Sequence, residues 1–259
     1  MRMERFFTLG KTSNFRHMGG YQTAAGATTR ADRLYRSGYV NAPTAEVHET
    51  FDRLGIATVY DFRSPIEREN NPLAVAADVA VVELGMLVAS VENLWNMLLA
   101  EGLTPAGAEK IMGDRYLELT REEIPGYRTM FRHMVENDGG ALVMCSFGKD
   151  RAGIASALLL SALGVLPEQV EADYLLSAVA YADQDAAIGK FEQFFSAQGL
   201  PVDREIVLPI LDARPQYLNV AFDLINREAG GMDSFLHAEL GMGPAEREQL
   251  VRRFTRPQR

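Results

Sequence analysis

The chain has 259 residues, enough to bury a full hydrophobic core as one large domain or two small ones. It carries 47% apolar and 24% charged residues and a net charge of -9, the balance of a water-soluble globular enzyme, and the acidic excess argues against nucleic acid or an anionic membrane as a bulk partner. A single cysteine excludes an internal disulfide and a resolving thiol. The N-terminus MRMERFFTLGKTSNF lacks the apolar run of a signal peptide, and no stretch approaches the ~18 apolar residues of a membrane span. A cytoplasmic protein without stable membrane insertion is expected, with signal-less secretion as the alternative. No repeat, low-complexity run or linker divides the chain, so one domain over residues 1–259 and a monomer are expected.

Residues 14–38 mix glycine turns with short strand-like pieces such as Arg33 to Arg36. The pattern predicts a helix from Thr44 to Leu54, with Val47, Phe51 and Leu54 on one face, Thr44 as cap and Gly55 as stop. It then predicts a strand over Ile56 to Phe62, a loop from Arg63 to Glu69, and a short strand over Val79 to Leu84. Residues 86–112 read as a helical insertion, with Val88, Val91, Leu94, Trp95, Leu98 and Leu99 at helical spacing and Thr104-Pro105 opening a further turn or helix. A lid over a pocket is the role such an apolar insertion would serve. Gly113 to Asn137 reads as more helix.

The Gly139-Gly140 turn leads into the apolar run Ala141 to Met144, a buried strand that ends at Cys145. Ser146 to Asp150 is a short polar loop, and helical spacing begins at Arg151 with Ile154, Leu158 and Leu159. Pro167 and residues 170–182 form another predicted helix. Ala186 to Phe195 is amphipathic and falls in a second candidate insertion, 183–214. Helices over Tyr217 to Ile225, Gly231 to Leu240 and Pro244 to Phe254 complete the chain.

The stretch 145–151 carries the chemistry. A strand, a tight loop and a helix N-terminus aim backbone N–H groups at one point and make an anion site. Ser146, Phe147, Gly148, Lys149, Ala152 and Gly153 would frame it. A helix N-terminus and nearby cations lower a cysteine pKa from ~8.5 by several units, so Cys145 would face the ring as a thiolate. The planar fork of Arg151 matches two phosphate oxygens. A phosphoryl group held there lies in line with the sulfur, the geometry for transfer through a phosphocysteine intermediate.

Cys145-Ser-Phe-Gly-Lys-Asp-Arg151 has the Cys-x5-Arg spacing of cysteine-dependent tyrosine phosphatases, and its Gly-Lys-Asp-Arg core resembles the bacterial atypical branch with dual-specificity and phosphoinositide activity. Asn14, Phe15, Arg16, Gly19, Gly20, Tyr21, Tyr35, Arg36 and Ser37 match that branch's N-terminal signature, with His17 in place of its usual Asp. The segment LGIATVYDFRSPIERE also resembles it, and the likeness runs over most of residues 14–254. Met144 stands where such phosphatases usually have His, and Ala152 where Ser or Thr usually follows the Arg. The missing hydroxyl bears on thiolate departure more than on phosphate binding.

The resemblance implies a mostly parallel α/β sheet flanked by helices, with lid-like helical insertions. It implies a phosphoprotein or phosphoinositide substrate, no cofactor and no metal. It also implies that Arg16 approaches the phosphate pocket. Asp150 is the expected general acid, although Lys149 and Arg151 favour its ionised form until phosphate binds. Asp61, with Arg63 at the end of its strand, is the alternative acid or a structural partner of that arginine. Lys149 would add charge to the pocket or hold a second phosphate. His17, His48, His133 and His237 lack paired metal-ligand spacing. An inositol phosphate hydrolase of the phytase type, and a phosphate-binding module with impaired turnover, are the competing readings; a sulfurtransferase is disfavoured by the Lys-Asp-Arg run.

Overall fold

A computed structural model describes residues 5–85, 102–180, 189 and 204–257. The described strands are β1 (Arg16–His17), β2 (Ala27–Thr29), β3 (Leu34–Ser37), β4 (Ile56–Asp61), β5 (Ala80–Glu83), β6 (Gly140–Met144) and β7 (Thr255–Pro257). The described helices begin with α1 (Thr44–Leu54), α2 (Pro65–Asn70), α3 (Pro105–Glu122), α4 (Ile124–Glu136) and α5 (Arg151–Ala162). They continue with α6 (Pro167–Ala180), α7 (Arg204–Leu211), α8 (Pro215–Ala229), α9 (Met232–Ala238) and α10 (Pro244–Phe254).

Five strands form one sheet in the order β1-β3-β6-β4-β5, with β1 antiparallel to β3 and every other pair parallel. The mixed α/β architecture with a mostly parallel sheet is therefore present. β2 and β7 pair separately as a small antiparallel ribbon, which the sequence pattern did not predict. Since β6 lies between β3 and β4, the C-terminal ends of three parallel strands converge on the segment after Met144, where ligand sites of open α/β sheets gather.

Alternation along β6 divides the core. Ala141, Val143 and Cys145 face a large cluster containing Tyr116, Tyr127 and Leu158, while Leu142 and Met144 face a smaller one with Val47, Phe51 and Phe15. Met144 thus fills the core on the α1 side of the sheet. A register shift between Ile56 and Thr58 keeps β4 aligned with β6. α5 is buried almost all round, because its alanines and Gly153 let neighbouring elements approach closely.

Several local expectations are revised. Thr44 is the first residue inside α1; Pro43 is the N-cap, without a side-chain capping bond, and Gly55 ends the helix at φ 64°. The expected loop after Arg63 contains α2, started by a capping box: Ser64 Oγ accepts from Glu67 N, and Glu67 returns a carboxylate to Ser64 N. Gly113 does not divide two helices. α3 runs through it, since Ala108, Ile111, Met112, Tyr116 and Leu119 together face the core, so residues 105–112 belong to a core helix. Residues 86–101 of the insertion, with Trp95, and all of the 186–195 stretch except Gly189 lie outside the described residues. No described helix is long and apolar enough to cross a membrane.

α2 owes its start to Ser64. Ser64→Ala should cost about 1 kcal/mol, read as a lower denaturant midpoint at unchanged slope.

Candidate active site

The loop from Cys145 to Asp150 joins β6 to α5. Its carbonyls are pulled outward: Ser146 C=O accepts from Tyr39 N at 3.0 Å, Phe147 C=O from Asn14 Nδ2 at 3.4 Å, and Gly148 C=O from Arg36 Nη2 at 2.7 Å and Asn14 Nδ2 at 2.9 Å. Lys149 C=O also lies 3.3 Å from Arg36 Nη2. Because each peptide is planar and trans, the N–H that follows an outward carbonyl points the other way. Gly148 N accordingly donates to Cys145 Sγ at 3.2 Å. Gly148 has φ +67°, and a Cβ there would sit 2.4 Å from the Ser37 carbonyl carbon, so only glycine fits.

Behind the loop lies a buried carboxylate. Asp173 accepts from Arg36 Nη1 at 2.8 Å, from Arg16 Nε and Nη2 at 3.4 Å, and from Tyr21 Oη at 2.9 Å. Burial works to raise its pKa, yet the charges of Arg16 and Arg36 outweigh this and hold it at about 2. Arg16 has no surface exposure; its remaining bonds go to Asp173 C=O, Asn14 Oδ1 and Ser177 Oγ. The expectation that Arg16 approaches the pocket is corrected: it reaches the loop only indirectly, through Asn14 and through the Asp173 carboxylate it shares with Arg36, and its donors are committed.

In front of the loop, Arg151 Nη1 and Nη2 grip Glu67 at 2.6 and 2.8 Å; Nη1 also donates to Phe62 C=O at 3.1 Å, and Nη2 lies 3.2 Å from Ser146 Oγ. Ser146 Oγ donates to the same Glu67 carboxylate. Burial opposes ionisation of Glu67, but the Arg151 hydrogen bonds and charge prevail and lower its pKa to about 2. Glu67 was missed in the sequence because its segment read as loop; the Ser64-x-x-Glu67 capping signature was the available signal.

Asp61 and Arg63 are both buried and pair with each other, Arg63 Nη2 lying 2.7 Å from Asp61 Oδ2 and Arg63 N and Nε 3.0 Å from Oδ1. Arg63 Nη1 closes on Asn71 C=O at 2.7 Å. Both side chains are thus engaged with each other at the end of β4.

Asp150 Oδ1 accepts from Tyr116 Oη at 2.8 Å and faces Lys149 Nζ at 3.3 Å. Lys149 is buried, with Nζ donating to Ile210 C=O and, at 3.1 Å, to Asp212 C=O. Its ammonium is thereby engaged by two carbonyls at the C-terminus of α7 and by the charge of Asp150 rather than aimed at an open pocket, which revises its expected part in ligating phosphate. Arg115, from α3, is a buried cation that sequence reasoning did not single out; burial and the charge of Arg151 lower its pKa, while Asp150 raises it. Glu123, buried where α3 meets α4, is pushed up to about 7 by burial against the opposing pull of Arg151 and Arg115. Among the described residues no three His, Cys, Asp or Glu side chains gather as a metal site would require.

The loop can therefore present inward N–H groups, a cysteine sulfur, a fixed guanidinium and a carboxyl group to a tetrahedral anion. The family described as the tyrosine phosphatase family matches residues 7–256. A protein of Cupriavidus necator, provisionally named a tyrosine-protein phosphatase, is 32% identical over 239 residues, covering 90% of this chain and 84% of its own length. A protein of Nostoc commune named tyrosine-protein phosphatase is 22% identical over 223 residues, covering 85% of this chain and 73% of its own length.

Asp173 titrates below the ordinary carboxylate range of ~3.9, so its stabilising effect is complete above that value and is lost as pH falls toward 2. The linkage amounts to roughly 2 kcal/mol. Asp173→Asn should lower stability at neutral pH and flatten the acid limb of a stability–pH curve measured by denaturant unfolding.

Proposed function

The chain belongs to the tyrosine phosphatase family, and on that premise we propose that it hydrolyses phosphotyrosine monoesters through a phosphocysteine intermediate, with phosphoserine, phosphothreonine and phosphoinositide esters as further substrates. The observation that carries this reading is the Gly148 N–H on Cys145 Sγ, on the side of the loop opposite its bonded carbonyls.

In the first step the Cys145 thiolate attacks phosphorus, the P–O bond to the leaving group breaks, and Asp150 gives that oxygen a proton. In the second, water attacks the phosphocysteine, Asp150 takes its proton, and the S–P bond breaks to free the thiolate and inorganic phosphate. Loop N–H groups and Arg151 stabilise the equatorial oxygens, where negative charge collects in the transition state. Glu67 sets the plane of the Arg151 guanidinium before phosphate arrives, so little reorganisation is left for the reaction.

The phytase-type alternative needs further cations open to a polyanion. Commitment of Lys149 to α7 and Asp150 favours the monoester reading over it. The impaired binding module rests on Met144 and Ala152, and Met144 is a core side chain away from the sulfur's face of the sheet.

Cys145→Ser should reduce release of phosphate from a phosphotyrosine peptide by roughly 10³-fold or more, assayed with EDTA, while keeping phosphate-ester binding. Wild-type turnover in this variant would defeat the covalent mechanism. Asp150→Asn should slow phenyl phosphate by about 10²-fold and p-nitrophenyl phosphate much less, because the better leaving group needs less protonation. Equal losses on both esters would remove Asp150 from the acid role.

A further inference from the structure

We propose that Tyr116 is a positioning residue for Asp150, holding one carboxylate oxygen so that the other carries the proton, and that Tyr174 in turn orients Tyr116. The proposal rests on the reading of Asp150 as general acid.

Tyr116 comes from α3 and Tyr174 from α6, and both rings are essentially buried, edge to face with centroids 6.1 Å apart. Their hydroxyls lie 2.6 Å apart, and Tyr116 Oη is 2.8 Å from Asp150 Oδ1. Burial drives the Tyr116 pKa far upward, so this phenol keeps its proton and acts as a donor. An ionised carboxylate only accepts, so the chain has one direction: Tyr174 O–H to Tyr116 oxygen, Tyr116 O–H to Asp150. Accepting one bond makes Tyr116 a stronger donor in the next.

Three other buried tyrosines satisfy their hydroxyls on backbone carbonyls, Tyr127 on Leu119 at 3.2 Å, Tyr217 on Pro209 at 3.0 Å and Tyr35 on Leu54 at 2.8 Å, while Tyr60 bonds His133 Nδ1 and Tyr21 bonds Asp173 behind the loop. Tyr116 instead spends its donor on a carboxylate of the site. Among the described residues the Tyr116 hydrogen bond and the Lys149 ion pair both fall on Oδ1 of this carboxyl group. The two oxygens are thereby made unequal, Oδ1 anchored and Oδ2 left to carry the proton.

The charged and titratable groups around Asp150 are Lys149 and Arg151 in the loop, Arg115 and Tyr116 on α3, Tyr174 on α6 and Tyr217 on α8. Tyr116→Phe removes one donor and changes no charge. The ionised carboxylate then loses a bond, so Asp150 retains its proton to higher pH. The basic limb of kcat/KM against pH should move up by about one unit, with a larger loss of kcat on phenyl than on p-nitrophenyl phosphate. Tyr174→Phe should move the limb the same way by less, and it decides the matter if Tyr116→Phe does not fold.

Asp150→Asn is measured beside them. A basic limb lost in Asp150→Asn and displaced in the tyrosine variants supports the proposal. A limb lost in Asp150→Asn but unmoved in both tyrosine variants overturns it and leaves the acid reading intact. A wild-type limb in Asp150→Asn overturns the acid reading and this proposal with it.

Discussion

The Asp173 carboxylate is the constraint from which the site is built. A loop that turns its N–H groups toward a sulfur must turn its carbonyls away, and buried carbonyls need donors. Arg36 supplies them to Gly148 and Lys149, with Asn14 beside it, and Arg16 bonds that asparagine. Two guanidiniums without exposure need a counter-charge, since an unpaired buried ion costs several kcal/mol. Asp173 meets both from one turn of α6, and Tyr21 occupies a further acceptor position. Removing any member strands another, so the loop's shape and the core's charge balance are one problem.

Glu67 performs the corresponding task in front. Its carboxylate bonds Ser64 N at the start of α2, Ser146 in the loop and both Nη atoms of Arg151. One side chain thus starts a helix and fixes the cation that a phosphate would meet. An anion-binding site that already holds a carboxylate has less net positive charge, and in return its guanidinium has a fixed plane. Preorganised dipoles and charges of this kind cost little reorganisation as negative charge develops.

The strand, loop and helix from Ala141 to Ala162 were legible because they are local: an apolar run, a glycine with forced left-handed geometry and a switch to helical spacing. α1, β4 and β5 were legible for the same reason. α2 was obscured by its charges and Pro65, although proline is well suited to a first helical turn. Gly113 lies inside α3, where its cost of about 1 kcal/mol is small beside the packing of Met112 and Tyr116 on either side. The direction an arginine faces is not local information. Arg16 and Arg36 meet Asp173 across 157 and 137 residues of chain, and nothing within Asn-Phe-Arg or Tyr-Arg-Ser separates a buried buttress from a ligand contact.

The run Lys149-Asp150-Arg151 shows how much such a motif leaves open. Its charges read as a single patch aimed at phosphate. Residues entering a helix project about 100° apart, so three consecutive side chains cannot share one target. Lys149 goes to the carbonyls ending α7, Asp150 to Tyr116 on α3 and Arg151 to Glu67 on α2. The loop is moored to three elements in front and, through the Gly148 carbonyl, to β3 behind. That leaves the backbone N–H groups and Arg151 as the main source of positive potential toward a bound anion, with Lys149 acting through Asp150. This charged triplet is therefore first a set of anchors, and the loop's precision follows from where each anchor is tied.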